Sequence, residues 1–183
     1  LHHEISGNGK KPLVLLHGFM ENTTIWNEME AHLSKDFTLI KIDLPGHGKS
    51  KVYQEIHTVE LMAEKVKEVI DALKLEKINL LGHSLGGYVS LAFAENFPEI
   101  LESMTLFFST TVADDEEKKA IRRRSIAVID ENFETFVKTS IPNLFSNNEK
   151  DILEGKIELA KNIAKSTNKE GVKAAQLGMA ERP

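Results

Sequence analysis

The segment INLLGHSLGG, residues 78–87, joins a short apolar run to a serine flanked by glycines. Its first four residues are too few for an ordinary helix and are typical of a buried strand. Apolar side chains then recur at helical spacing up to Pro98, which predicts a helix directly after the turn. Gly82-His83-Ser84-Leu85-Gly86 therefore fits G-x-S-x-G between a strand and a helix. That context places the Ser84 hydroxyl on a tight, strained turn and makes Ser84 the candidate nucleophile.

Three further apolar runs predict strands, at Leu13–Leu16, Phe37–Ile42 and Met104–Phe108. Between them, residues 59–73 carry apolar side chains at helical spacing behind Thr58, a candidate N-cap. Strands that alternate with helices in this way are joined by right-handed crossovers. We therefore predict an α/β fold, a mainly parallel sheet with helices on both faces.

The strand pattern stops near residue 110. Residues 111–183 are predicted to be helical, which divides the chain into a core region, 1–110, and a helical region, 111–183. Within the latter, residues 114–124 run from acids to bases, as expected of a solvated helix face that complements the helix dipole. An anion or partner site is the alternative for this run.

A second motif, His17-Gly18-Phe19-Met20, follows the strand Leu13–Leu16. Sites in open parallel sheets gather at the carboxyl ends of the strands. A loop bent at Gly18 brings the Phe19 N–H beside that of Leu85, and the two form an oxyanion hole. Phe19 and Met20 would also wall the substrate pocket, whereas His17 is interpreted as a structural histidine bonded to backbone.

Other glycine-containing segments do not support nucleotide binding. Gly48-Lys49-Ser50 lacks the glycine that a phosphate-binding loop needs five residues earlier, where Asp43 stands. Gly7-Asn8-Gly9 lacks the rest of a dinucleotide fingerprint and is interpreted as a hairpin turn between edge strands. His47 and His57 show no metal-ligand spacing, so no metal and no cofactor is predicted.

The composition narrows the class of protein further. A chain of 183 residues has room for one core with an accessory layer, and 41% hydrophobic with 28% charged residues excludes intrinsic disorder. The formal net charge of −5 argues against nucleic acid and anionic lipid as partners. We find neither a signal peptide nor a membrane-spanning stretch and expect a cytoplasmic protein. Cysteine is absent, which removes thiol chemistry.

The order of HGFM, DLPGHGKS and GHSLGG, each after a strand, resembles the α/β-hydrolase superfamily over roughly residues 3 to 109. The resemblance is to serine-nucleophile, capped, esterase-like members. It implies Ser84 as the nucleophile, Phe19 and Leu85 as the oxyanion N–H donors, and residues 111–183 as a cap over the pocket. His83 would line that pocket while its side chain points away from the Ser84 oxygen.

The resemblance also exposes a gap, because such triads run in the order Ser, Asp, His. All seven histidines precede Ser84. We expect the triad aspartate and histidine beyond residue 183, on a continuation of roughly 60 to 90 residues. Without them, the 183-residue chain should be inactive, and its uncovered sheet edge is a candidate for association with other molecules.

Three functions remain open at this stage. The first is a serine-dependent hydrolase of small carboxylic esters that works through an acyl-enzyme on Ser84. The second is a C–C bond hydrolase or a menaquinone-pathway-type lyase of the same fold. The third is a non-catalytic hydrolase-like module that binds a ligand or partner. Among the helical residues, Phe133, Phe136 and Leu144 are the expected apolar contributors to the pocket.

Overall fold

The computed structural model describes residues 1–183 and contains one five-stranded sheet. Its strands are β1 (His3–Ser6), β2 (Lys11–Leu16), β3 (Phe37–Ile42), β4 (Ile78–His83) and β5 (Leu101–Phe107). They lie in the order β1-β3-β2-β4-β5, and β1 alone runs antiparallel to its neighbour. The predicted mainly parallel sheet is confirmed.

Seven α-helices accompany the sheet. They are α1 (Asn27–Leu33), α2 (Val59–Ala72), α3 (Leu85–Asn96), α4 (Glu116–Glu131), α5 (Phe133–Ser140), α6 (Glu154–Ser166) and α7 (Lys169–Glu181). Thr58 is the N-cap of α2, as predicted, since its Oγ1 accepts a hydrogen bond from the Leu61 N–H at 3.2 Å. None of the seven helices combines the length and the apolar character needed to cross a bilayer.

Alternate side chains of the central strands point to opposite faces of the sheet. On one face, Leu13, Leu15 and Leu39 pack with the buried indole of Trp26, just before α1. On the other, Val14 and other alternate residues form a cluster with α2 and α3. Helices therefore cover both faces, as the alternation of elements predicts.

No strand follows β5, and α4 to α7 form what we call the helical layer. Its interior is a second apolar cluster that includes Ile129, Phe136 and Val172, and Met20 from the core region packs into it. Two residues of α7, Ala175 and Met179, instead join the main core cluster. The last helix thus ties the helical layer to the sheet.

The predicted hairpin at Gly7-Asn8-Gly9 is wrong. β1 pairs with β3 and not with β2, so the chain crosses past β3 between the first two strands. The Asn8 N–H bonds to the Ser34 carbonyl oxygen, which directs the connection toward the end of α1. Two glycines between short strands are compatible both with a hairpin and with a connection that passes β3.

The interpretation of residues 114–124 as a solvated face is wrong in part. Asp115 is the N-cap of α4, but Asp114 is buried and forms ion pairs with Arg122 and Arg182. Burial raises the pKa of the Asp114 carboxyl, yet hydrogen bonds from both arginines hold that pKa below its usual value. Arg182 also lies over the Tyr88 ring, 3.8 Å from its centroid. This buried cluster joins both ends of the helical layer to α3.

Gly178→Ala is expected to destabilise the protein by about 1 to 3 kcal/mol or more, because a methyl group there would collide with the His57 carbonyl oxygen. Gly155→Ala is the matched control: Gly155 lies in α6 with open space around it. At that position alanine should raise the free energy of unfolding by up to about 1 kcal/mol. Urea denaturation of both variants checks the pair, and equal effects would contradict the packing of α7.

Candidate active site

The carboxyl ends of β2 and β4 lie side by side. Leu16 pairs with Gly82 in the parallel ladder, so the residues that follow each strand emerge at the same edge. This brings the loop that begins at His17 next to the turn that carries Ser84. The two motifs found in the sequence therefore form one site.

Ser84 lies at the junction of β4 and α3 with φ of 49° and ψ of −112°. The positive φ expected of a strained turn is thus found, and few residues other than glycine adopt it. Neighbouring groups hold this backbone: the Ser84 N–H donates to the Phe107 carbonyl at 3.0 Å, and Ser109 Oγ donates to the Ser84 carbonyl at 2.8 Å. The end of β5 therefore fixes the turn.

The two candidate oxyanion donors are the backbone N–H groups of Phe19 and Leu85, and neither donates a hydrogen bond to another backbone group. Phe19 lies in the loop after β2, and its N–H donates no backbone hydrogen bond. Leu85 is the first residue of α3, where an N–H has no acceptor within the helix. Two backbone donors thus remain available: the Leu85 N–H, next to Ser84 at a helix N-terminus that favours negative charge, and the Phe19 N–H, in the loop after the neighbouring strand.

His17 is a structural histidine, as interpreted from the sequence. It is fully buried; its Nε2 accepts from the Leu44 N–H at 2.9 Å, and its Nδ1 lies 2.7 Å from the Gly18 carbonyl oxygen. Because Nε2 is the acceptor, Nδ1 carries the proton and donates to that carbonyl. Both nitrogens are occupied, so His17 is not free to act as a base.

Two more imidazoles, those of His47 and His57, are buried in the loop after β3. Burial lowers the pKa of His17 and of His57, and it lowers the pKa of His47 to about 3. His47 Nδ1 lies 3.0 Å from the Pro45 carbonyl oxygen, and His57 Nε2 accepts from the Tyr53 N–H at 3.1 Å. All three histidines are therefore neutral parts of the framework at pH 7.

The structure places His83 beside the site with its ring turned to Glu21. His83 Nδ1 lies 2.9 Å from Glu21 Oε2, and the ring packs near those of Phe107 and Phe108. No imidazole hydrogen-bonds the Ser84 hydroxyl. Ser84, the candidate nucleophile, therefore has no imidazole hydrogen-bonded to its hydroxyl in residues 1–183.

Phe19 and Met20 lie between the sheet and the helical layer. Met20 is buried with φ of 58°, and Phe19 packs against both the main core and the cluster that contains Phe136. Phe133 also packs on that cluster, whereas Leu144 is 73% exposed and does not. The expectation for Leu144 is not supported, because the short 3₁₀ turn that carries it leaves its side chain in solvent.

Asp43 organises the loop that follows β3. Its carboxylate accepts hydrogen bonds from the Thr23 N–H at 2.8 Å and the Lys49 N–H at 2.9 Å. The Lys49 N–H of the Gly48-Lys49-Ser50 segment is thus taken up by a side chain of the protein itself.

Two surface clefts lie elsewhere, one along α6 and one between residues 52–55 and α7. Neither includes Ser84.

Two residues of the site, Glu21 and Ser109, were missed at the sequence level. Glu21 follows the HGFM motif directly, but a glutamate in a loop is ordinarily solvated; Ser109 had no local signal at all.

A family model described as the alpha/beta hydrolase fold matches residues 11–151, more than half of the chain. The chain therefore belongs to the α/β hydrolase fold family. Strand order, the turn at Ser84 and the paired strand ends agree with this assignment.

Individual relatives include several hydrolases. The structure is similar to a thermophilic esterase from Thermogutta terrifontis, with a TM-score of 0.93, 35% identity, and coverage of 100% of this chain and 67% of the esterase chain. MenH from S. aureus shares the fold at a TM-score of 0.82 and 22% identity, and the match covers 100% of this chain and 73% of the MenH chain. A 2-hydroxy-6-oxononadienedioate/2-hydroxy-6-oxononatrienedioate hydrolase from Paraburkholderia phymatum is 33% identical over 111 residues, 58% of this chain and 38% of the relative.

The chain spans about a third of the length of the curated relatives that it matches over 111 residues. In the esterase structure, the matched part is 67% of the chain. The activity of the whole protein is therefore a matter for proposal.

Proposed function

We propose that the complete protein is a serine-dependent hydrolase of small carboxylic esters that acts through an acyl-enzyme on Ser84. The observation that carries the proposal is the strained Ser84 turn at the end of β4, next to the strand end that leads to Phe19; neither the Phe19 nor the Leu85 N–H donates a backbone hydrogen bond. Similarity to an esterase at 35% identity over the whole chain supports the substrate class.

In this mechanism the Ser84 oxygen attacks the ester carbonyl carbon while a base takes the hydroxyl proton. The carbonyl oxygen becomes an oxyanion, which the Phe19 and Leu85 N–H groups stabilise. Collapse of the intermediate breaks the bond to the alcohol, which leaves with the proton from the base. Water then attacks the acyl-enzyme and releases the carboxylic acid.

The base and its orienting carboxylate are proposed to come from a segment beyond residue 183. Asp114, the one buried acid among residues 111–183, is bound by two arginines and is not free to orient an imidazole. The same segment would cover β5, which pairs only with β4 and exposes Phe107 and Phe108 at its end. Without it, association of the chain through this edge is expected.

The decisive assay compares two substrates with the complete protein. Turnover of p-nitrophenyl acetate without cleavage of a vinylogous diketone supports the esterase. The reverse result supports a C–C bond hydrolase, which the similarity to the Paraburkholderia phymatum enzyme favours as the second candidate. Ligand binding with neither reaction would leave a non-catalytic module and contradict the proposal.

The helical layer is proposed to act as a cap that selects acyl groups, since Met20 beside the site packs directly into it. Phe136→Ala should therefore shift the preferred acyl length of p-nitrophenyl esters more than it changes the maximal rate on acetate. Leu144→Ala is the matched control, because that side chain is exposed. The same chain-length profile for wild type and Phe136→Ala would show that the layer does not roof the pocket.

A further inference from the structure

We propose that Glu21 is a positioning residue that holds the oxyanion loop, residues 17–21, against the Ser84 turn. The inference rests on the proposed function, because it assigns a role within that same site. The Glu21 carboxylate bonds both to Gly18, in the motif after β2, and to His83, in the motif after β4. Its side chain is 24% exposed, and its position in the sequence is that of an ordinary loop residue.

Glu21 bonds to both peptide groups that flank Gly18. The Gly18 N–H donates to Glu21 Oε2 at 2.5 Å, and the Glu21 N–H donates to the Gly18 carbonyl oxygen at 3.3 Å. That carbonyl and the Phe19 N–H belong to one planar trans peptide group and point in opposite directions. His17 Nδ1, at 2.7 Å, and the main-chain N–H of Glu21 hold that carbonyl, whereas the Glu21 carboxylate holds the preceding peptide through the Gly18 N–H, one residue before the proposed oxyanion donor.

The same carboxylate oxygen reaches the other motif. Glu21 Oε2 lies 2.9 Å from Nδ1 of His83, the residue before Ser84 at the end of β4. One atom thus joins the loop after β2 to the turn after β4. Catalytic groups must be held within about 0.5 Å of the productive geometry, so a link of this kind affects the rate directly.

The glycine at position 18 makes this link possible. A Cβ atom there would stand 2.7 Å from Glu21 Oε2 and 2.9 Å from His83 Nδ1, closer than side-chain atoms approach. Glu21 makes no hydrogen bond to Ser84 itself. Its carboxylate therefore acts through the Gly18 N–H and His83.

The kinetic test uses the complete protein, with active sites counted by fluorophosphonate titration so that misfolded molecules do not enter kcat. Glu21→Ala should lower kcat for p-nitrophenyl acetate by about 10- to 100-fold, less than the loss of a whole oxyanion donor, while KM stays within about twofold. Glu21→Gln keeps an acceptor for the Gly18 N–H at nearly the same length and should recover kcat to within about threefold of wild type. Glu76→Ala, which removes an exposed glutamate far from the site, is the control.

NMR gives a second measure that does not depend on turnover. In the complete protein, Glu21→Ala should shift the Gly18 and Phe19 amide signals, and Glu76→Ala should leave both in place. Should Glu21→Ala fail to fold, Glu21→Asp, one methylene too short to reach both partners, replaces it. A kcat per active serine within twofold of wild type, or unchanged Gly18 and Phe19 amides, would overturn the role of Glu21. If the wild-type protein hydrolyses no ester, the proposed function fails, and the amide signals still decide on Glu21.

Discussion

Ser84→Ala should lower kcat for p-nitrophenyl acetate by about 10⁴- to 10⁶-fold in the complete protein. In the proposed mechanism the Ser84 oxygen forms the covalent bond of the acyl-enzyme, and its backbone is in the strained turn after β4. The residual rate would come from the two oxyanion N–H groups and from substrate binding, which the substitution leaves in place. Because Ser84 is half-buried and its hydroxyl donates to no protein group, the variant should fold normally.

Ser103→Ala is the matched control for this prediction. Ser103 is an exposed serine on β5 that bonds to Asn79, and its loss should leave kcat unchanged. Thermal unfolding of both variants separates an effect on the reaction from one on stability. A decrease of less than tenfold for Ser84→Ala would mean that another residue carries the reaction.

The fold and the centre of the site could be predicted because the signals for both are local. A four-residue apolar run followed by Gly82–Gly86 and a helical pattern permits few backbone routes, and the turn at Ser84 follows from them. The motif after β2 was found in the same way. Parallel pairing of β2 with β4 then places the two motifs side by side, since Leu16 and Gly82 are neighbours in the ladder.

What could not be predicted depends on contacts between distant residues. The pairing of β1 with β3 is decided by the packing of the sheet edge, and the glycines between β1 and β2 do not encode it. Arg182 and Asp114 are 68 residues apart, and nothing local marks either as buried. Glu21 bonds to His83, 62 residues away, and an isolated loop glutamate carries no sign of such a partner.

Acidification from pH 7 to pH 5 should strongly reduce the free energy of unfolding. His17, His47 and His57 are buried, and burial lowers the pKa of each, that of His47 to about 3. In the unfolded chain the same imidazoles have pKa values near 6.5. Below about pH 6.5 the unfolded state therefore binds protons that the folded state does not, and stability falls as the pH falls.

The size of this effect can be stated for His47. A buried histidine contributes up to about 1.4 kcal/mol per pH unit between its unfolded and folded pKa values. For His47 the window extends from about pH 6.5 to about pH 3 and amounts to about 5 kcal/mol. Such a loss is comparable to the whole stability of an ordinary domain.

Urea denaturation at intervals of half a pH unit between pH 7 and pH 5 measures how the free energy of unfolding changes with pH. In this range the carboxylates do not yet contribute to that change. The lowered pKa of Asp114 acts only below its usual value of 3.8, outside this range. His47→Asn keeps a donor toward the Pro45 carbonyl and removes the titrating group, so its slope should be smaller by about 1.4 kcal/mol per pH unit below pH 6. His32→Asn, at an exposed position, should keep the wild-type slope. A slope unchanged in His47→Asn would mean that this imidazole is hydrated in the folded protein, and that the loop after β3 opens to solvent.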